Sequence, residues 1–206
     1  MNSCTSNFQV FNTVVKPMVN SFLEGINTSL LMYGPTGAGK TYTMIGDEMK
    51  RKNLRELSDP YSFIKGSDTH SEDAGALFYA LDCIFKELAN QSGINVLKVS
   101  YIEIYNDCVY DLLQEKTRLV NPLSINETEP GKFAIKGIIE QPIKNLSEVL
   151  MVIKQGERNR HYAESVMNHS SSRSHAIFQV KLDRVNTDCV SRSEIVCVLK
   201  ICIEFC

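Results

Sequence analysis

Hydrophobic residues recur along the chain with two periods, and each period predicts a different kind of element. Near the N-terminus, spacings of three and four predict a helix whose inward face carries Val15, Met18, Val19, Phe22 and Leu23. Pro17 is tolerated in the first turn of such a helix, and Gly25 can end it. The same spacing returns between Leu77 and Leu88 and predicts a second helix.

Strand patterns lie between and after these helical segments. The apolar run Ser29–Tyr33 predicts a strand buried on both faces of a parallel sheet, and Ile94–Tyr105 predicts a long strand. Alternation from Ala176 to Asp183 predicts a half-exposed strand, whose inward side chains include Phe178. The last strand-like run, Ile195–Phe205, ends at the C-terminus, so we expect an exposed apolar edge there.

The remaining segments are more polar. Residues 106–146 predict turns and short strands, after which Ser147 is expected to cap a helix whose apolar positions reach Ile153, ahead of Gly156. Residues 186–188 predict a turn. Residues 47–73 lack periodicity and predict a surface insertion, which is either a solvated loop or a partner-binding loop.

A glycine-rich loop joins the first predicted strand to a short helical segment. Gly34–Thr41 (GPTGAGKT) matches G-x-x-x-x-G-K-[ST] at every fixed position. Backbone N–H groups of such a loop surround phosphate oxygens, Lys40 neutralises terminal phosphates, and the Thr41 hydroxyl binds Mg²⁺. The sequence therefore predicts a nucleoside-triphosphate site in an α/β fold of P-loop NTPase type, with a central, mostly parallel sheet flanked by helices.

Composition narrows the class of protein without naming its partner. A chain of 206 residues with 43% hydrophobic and 22% charged residues suits one globular domain. A net charge of −2 gives no overall attraction to polyanions, so an acidic partner would have to be met by a local basic patch. No apolar run approaches the roughly 18–20 residues needed to cross a bilayer, and we expect neither nucleic acid nor a membrane as partner. The seven cysteines include no C-x-x-C pair, which favours reduced core residues over a zinc site in an intracellular protein.

Three motifs occur along the chain: Tyr33–Met44 (YGPTGAGKTYTM), Ser100–Asp107 (SYIEIYND) with the following Asp111-Leu-Leu113, and Asn168–His175 (NHSSSRSH). Together, and in this order, they resemble a kinesin motor domain. On its own, the last motif could be a serine-rich turn that caps local backbone groups. The resemblance implies a partial motor domain over residues 1–206, located in the cytoplasm on the cytoskeleton, with ATP and Mg²⁺ as ligands and microtubules (tubulin) as partner.

The resemblance also assigns site residues. The nucleotide would contact Gly34, Pro35, Thr36, Gly37, Ala38, Gly39, Lys40, Thr41 and Tyr42, the last of these covering adenine. The first switch loop would supply the catalytic residues Asn168, Ser171, Ser172 and Arg173, with Ser174 following. Mg²⁺ would be bound by Thr41 and Ser172. His169 and His175 would belong to the hydrogen-bonded framework rather than act as a base.

The chain departs from the family pattern at both ends. The family's R-x-R-P segment is absent upstream of the first helix, and residues 194–206 diverge where a second switch, Asp-x-x-Gly, is expected. Glu204 could take the acidic position of that switch. Lys116, Arg118, Lys132 and Lys136 are either part of a secondary tubulin face or solvated surface. A non-hydrolysing nucleotide-binding or tubulin-tethering fragment, and an unrelated P-loop kinase, are the alternatives to a motor.

Overall fold

A computed structural model of the chain describes residues 5–35, 37–46, 74–91, 93–115, 121–167, 174–185 and 194–205, with the backbone alone at 161–167, 185 and 194–205. The insertion at 47–73 and the turn at 186–188 lie outside the described residues. No helix in the described ranges is long and apolar enough to cross a membrane.

The N-terminal helical segment is longer than the apolar pattern predicts. Helix α1 (Asn7–Val10) continues through a π-helical turn at Phe11–Val15 into α2 (Lys16–Leu23). Pro17 lies in the first turn of α2, as predicted. Val19 and Phe22 are fully buried, which confirms the inward face, and Gly25 follows the helix with a φ of 93°.

One large sheet organises the domain. The strands of the chain are β1 Thr28–Tyr33, β2 Ile94–Tyr105, β3 Cys108–Asp111, β4 Ile125–Glu129, β5 Lys132–Ile135, β6 Gln141–Ile143, β7 Ser174–Val185 and β8 Glu194–Phe205. Those of the large sheet follow the order β1-β8-β7-β2-β3, with β6 beside β2, and β4 and β5 form a separate hairpin. The predicted strands at 29–33, 94–105, 176–183 and 195–205 are therefore all present.

The α/β class is confirmed, but the expectation of a mostly parallel sheet is wrong for the described strands. Only β1 and β8 pair in parallel there, whereas β2 is antiparallel to β3, β6 and β7, and β7 is antiparallel to β8. Short connections account for two of these pairs, β2–β3 and β7–β8, since parallel neighbours need a crossover of about a dozen residues or more. Asn106 and Asp107, both with positive φ, turn β2 directly into β3.

The two faces of the sheet differ in what covers them. The row Leu30, Phe178 and Tyr101 is buried, and helices α2, α3 (Lys40–Ile45), α4 (Ala76–Ala89) and α5 (Leu146–Met167) contact one another over that face. On the opposite face of β1, Leu31 and Tyr33 remain 54% and 79% exposed. The prediction that this strand is buried on both faces is therefore wrong for the described residues.

The position of β8 corrects a second expectation. Leu199–Cys202 pairs with β1 on one edge and with β7 on the other, so the apolar edge expected at 195–205 is covered along that stretch. On this side of the described order the last strand is β1 rather than β8. Sequence order could not show this, because a strand late in the chain has inserted between two earlier ones.

Helix α5 also differs from its prediction at both ends. Asn145 rather than Ser147 caps it, because the Asn145 side chain accepts a hydrogen bond from the Glu148 backbone at 3.0 Å. The helix then passes through Gly156 and ends at Met167. A Cβ atom at Gly156 would lie 2.1 Å from Cδ1 of Tyr101, so this glycine permits close contact between α5 and β2.

Candidate nucleotide-binding site

The glycine-rich loop leaves the carboxyl end of β1 and leads into α3, as the motif predicts. Gly37 and Gly39 have φ values of 85° and 87°, in the left-handed region that favours glycine. A Cβ atom at either position would meet nothing within 4 Å, so backbone conformation rather than space requires glycine. Loops with this conformation present backbone N–H groups to anions.

Lys40 keeps its ammonium group inside the loop. Its Nζ donates hydrogen bonds to the carbonyl oxygens of Gly34, at 2.6 Å, and Pro35, at 3.1 Å. The backbone N–H of Thr43 donates to the carbonyl of Gly39 at 2.8 Å, so α3 begins directly after that glycine. Lys40 and Thr41 therefore lie in the first helical turn, where the N-terminal end of a helix favours negative charge.

The backbone of Tyr42 is hydrogen-bonded to the N-terminal helix. Its side chain is 41% exposed, whereas its carbonyl oxygen accepts a hydrogen bond from Nδ2 of the buried Asn7 at 3.0 Å. An exposed ring on an anchored backbone can offer a flat surface to a base. Sequence reasoning missed Asn7, for which a polar residue at the start of a mostly apolar helix was the sole signal.

The strand topology brings the two halves of the predicted site to one edge of the sheet. Tyr33 is in register with Phe205, so β1 and β8 end together, and β7 starts at that edge because it runs antiparallel to β8. Residues 34–39 and 168–173 therefore connect to the same edge. With strands about 4.8 Å apart, the start of β7 lies roughly 10 Å from the end of β1.

The predicted catalytic residues Asn168, Ser171, Ser172 and Arg173 lie outside the described residues, as does Thr36 of the loop. Their roles stay predictions. The described part brings together the remainder of the loop and Tyr42, and it places the backbone of Glu204 near the end of β8, beside the end of β1. Among the described residues, no group of three or more acidic, His or Cys side chains is arranged to hold a metal.

Beside this edge lies a buried charged group that the motifs did not predict. Nε of Arg160 lies 3.5 Å from Oε1 of Glu103, and Nη2 donates to the hydroxyl of Ser174 at 3.3 Å. All three residues are at most 5% exposed. The sequence offered two signals for this charged group: a glutamate on a strand whose faces are both largely covered, and an arginine four residues after Gly156.

A second buried carboxylate supports the loops at the other edge of β2. Asp111 accepts hydrogen bonds from the N–H groups of Leu113 at 2.8 Å and Ile139 at 2.7 Å. Burial raises the pKa of Asp111, and these two hydrogen bonds oppose that rise. Asn159 of α5 donates to the carbonyl oxygens of Leu112 and Gln114, so the Asp-Leu-Leu motif is a structural anchor.

Comparisons with known proteins agree with this architecture. Residues 1–202 match the sequence profile of the kinesin motor domain family. The chain is 35% identical over 179 residues to human kinesin-like protein KIF27 and 32% identical over 181 residues to mouse chromosome-associated kinesin KIF4. These alignments cover 86% and 87% of this chain, but 12% and 13% of the relatives.

A solved structure has the same fold. The structure of a fast kinesin superposes on this chain with a TM-score of 0.79 at 28% identity. The superposition covers 97% of this chain and 50% of that one, so the chain spans about half of the solved motor structure. A matching family profile, relatives above 30% identity and the shared fold together show that this chain belongs to the kinesin motor-domain family.

Proposed function

We propose that this domain binds Mg·ATP at Gly34–Thr41 and, as part of a kinesin motor, couples ATP hydrolysis to movement along microtubules. One observation carries the nucleotide assignment. A loop with two left-handed glycines and an inward-held Lys40 ends in the first turn of α3, at the sheet edge where β7 begins. That edge would place both the loop and the 168–173 segment near the same phosphates.

Each part of the loop has a chemical task. Backbone N–H groups around Gly37 and Gly39 would bind phosphate oxygens, and Lys40 would transfer its hydrogen bonds from the loop carbonyls to the terminal phosphates. Thr41 and Ser172 would hold Mg²⁺, which neutralises charge on the phosphate oxygens when bound. The ring of Tyr42 would stack on adenine.

Hydrolysis would depend on positioning rather than on a strong base. The γ-phosphoryl group transfers through a loose transition state, so the protein mainly orients water and neutralises charge. Asn168 and Ser171 would hold the γ-phosphate oxygens or the attacking water. Arg173 would pair with an acidic residue, for which Glu204 at the end of β8 is the candidate.

Membership of the kinesin motor-domain family supports microtubules as the partner and the cytoskeleton as the location. The scattered lysines that could form a secondary tubulin face give little further support. Lys132 already pairs with Glu129 at 2.6 Å on the exposed β4–β5 hairpin, which favours the solvated-surface interpretation. Lys116 and Arg118 lie outside the described residues.

Nucleotide binding can be tested with a fluorescent ATP analogue. Lys40→Ala removes charge-assisted hydrogen bonds to phosphate, so we expect affinity to fall roughly tenfold to a hundredfold. Lys86→Ala is the matched control, because Lys86 is an exposed lysine paired with Asp82, far from the loop in the chain, and should bind as the unchanged protein does. Equal affinity of the two variants would refute the site.

Turnover separates the motor from the second candidate, a nucleotide-binding or tubulin-tethering fragment. Since the 206 residues span about half of the solved kinesin, hydrolysis by these residues alone has to be measured. Phosphate release by the purified chain is measured with and without microtubules. Stimulated release supports the motor in this chain, whereas Lys40-dependent binding without any release supports the fragment and contradicts hydrolysis by these 206 residues.

A further inference from the structure

The charged group formed by Arg160, Glu103 and Ser174 joins three elements of the fold. Arg160 comes from α5, Glu103 from β2 and Ser174 from the first position of β7. The side chains of Arg160 and Glu103 are 7% and 5% exposed. Burying two charges costs free energy that an apolar pair would not, so simple packing does not account for the choice of residues.

The group continues a contact that begins one helical turn earlier. Gly156 and Arg160 are four residues apart on α5 and share a face, while Tyr101 and Glu103 are two apart on β2 and share a face. Gly156 lies against the Tyr101 ring, and Arg160 lies against Glu103. The glycine allows the helix to approach the strand closely enough for the guanidinium to reach both Glu103 and Ser174.

The location of this link relates it to the predicted switch loop. Helix α5 leads into residues 168–173, and β7 receives the chain at Ser174. Ser174 belongs by sequence to the NHSSSRSH motif, yet its hydroxyl accepts a hydrogen bond from Arg160. A buried arginine therefore ties the helix before the segment to the first residue after it.

We propose that Arg160, held by Glu103, is a positioning residue that fixes Ser174 at the first position of β7 and so supports binding of a nucleotide that carries a γ-phosphate. The proposal rests on the proposed function, because that function assigns γ-phosphate contacts to residues 168–173, which precede Ser174. The planar guanidinium can bind a carboxylate and a hydroxyl with different nitrogens at once, which a lysine ammonium on a flexible chain does not reproduce.

The test compares binding of two nucleotides to the full 206-residue chain. Mg·ADP reports the loop at Gly34–Thr41, and a non-hydrolysable Mg·ATP analogue also reports contacts to the γ-phosphate. Ser174→Ala and Arg160→Lys should leave the ADP dissociation constant within about twofold and weaken analogue binding about tenfold, the loss expected for one charge-assisted hydrogen bond. A change confined to the analogue separates positioning from general destabilisation.

Arg184→Lys is the matched control. Arg184 lies near the other end of β7, and there its guanidinium donates to the side chain of Asn95 and the carbonyl of Leu23. It makes the same type of link between β7 and its neighbours, away from residues 168–173, so both dissociation constants should stay unchanged. An equal loss for ADP and the analogue in the Arg160 and Ser174 variants would overturn the proposal, as would no loss.

Two further measurements keep the outcome decisive. If Arg160→Lys folds poorly, Ser174→Ala still removes the link to β7 while retaining the Arg160–Glu103 ion pair. Trypsin cleavage after Arg173 is followed without nucleotide and should be faster in Ser174→Ala than in Arg184→Lys; equal rates contradict the inference. If the unchanged chain binds neither nucleotide, the proposed function fails, and the cleavage comparison still decides whether Arg160 fixes this segment.

Discussion

Replacing Gly156 by alanine tests how closely α5 must approach β2. Alanine ordinarily stabilises a helix interior by about 1 kcal/mol relative to glycine. Here the added Cβ would lie 2.1 Å from Cδ1 and 2.5 Å from Cε1 of Tyr101, whereas carbon atoms pack at about 3.5–4.0 Å. Tyr101 cannot readily yield, because it is fully buried, packs edge-on against Phe178 and donates a hydrogen bond to Glu157.

The expected cost follows from these opposing effects. Overpacking in a core costs about 3 kcal/mol at the upper end of its usual range, and the gain in helix propensity offsets about 1, which leaves Gly156→Ala destabilised by about 2 kcal/mol. For a domain of this size, that corresponds to a fall in melting temperature of roughly 4–8 °C. Urea denaturation followed by circular dichroism measures the free energy directly.

A variant that lacks the Tyr101 ring tests whether the cost of Gly156→Ala is steric. Tyr101→Val keeps a strand-forming residue but removes the ring carbons that meet the new Cβ. In that background, Gly156→Ala should change sign and stabilise the protein by about 1 kcal/mol. Gly156→Ala that stabilises the unchanged chain, or destabilises both backgrounds equally, would refute the close-contact argument.

The remaining predictions concern two side chains. Asp111→Asn should destabilise the fold by about 1–3 kcal/mol at neutral pH, because an amide can accept from only one of the N–H groups of Leu113 and Ile139. The pKa of Asp111 is raised, which means that the folded state binds the Asp111 proton more tightly than the unfolded state does. The stability advantage of the unchanged chain over Asp111→Asn should therefore grow as the pH falls from 7 toward about 4. Denaturation at both pH values measures this, and a shrinking advantage contradicts it. Tyr42→Ala should weaken ATP-analogue binding roughly tenfold through loss of stacking, while Tyr42→Phe should bind normally in the same titration. Equal binding by the two Tyr42 variants would remove adenine stacking from the site.

Local signals predicted local structure well. The helix containing Val19 and Phe22 and the alternating strand at 176–183 were correct, because burial of one face imposes a period of 3.6 or 2 on the residues themselves. The glycine-rich loop was correct for a similar reason. Left-handed backbone at Gly37 and Gly39 leaves glycine as the residue that fits without strain.

Signals failed where the outcome depended on contacts that the sequence pattern does not rank. The apolar run at 29–33 resembles a strand covered on both faces, yet the cover on each face depends on which elements pack there. Ser147 and Asn145 are both good helix caps, and with Asn145 as the cap the Glu148 carboxylate also accepts a hydrogen bond from the backbone N–H of Lys144, the residue before the cap. The first outcome depends on elements distant in sequence, and the second is a choice between two nearby caps that residue preferences alone do not rank.

Residues adjacent in the chain were enough to predict the glycine-rich loop between β1 and α3, the kinesin resemblance and most helices and strands, because each of these depends on a short stretch of sequence. Three features needed the folded molecule: the insertion of β8 between β1 and β7, the antiparallel pairing around β2, and the meeting of Arg160, Glu103 and Ser174. These depend on contacts between residues far apart in the chain, such as Glu103 and Arg160. Their attraction becomes strong only where the fold holds both of them together out of water, and that place is set by the tertiary structure.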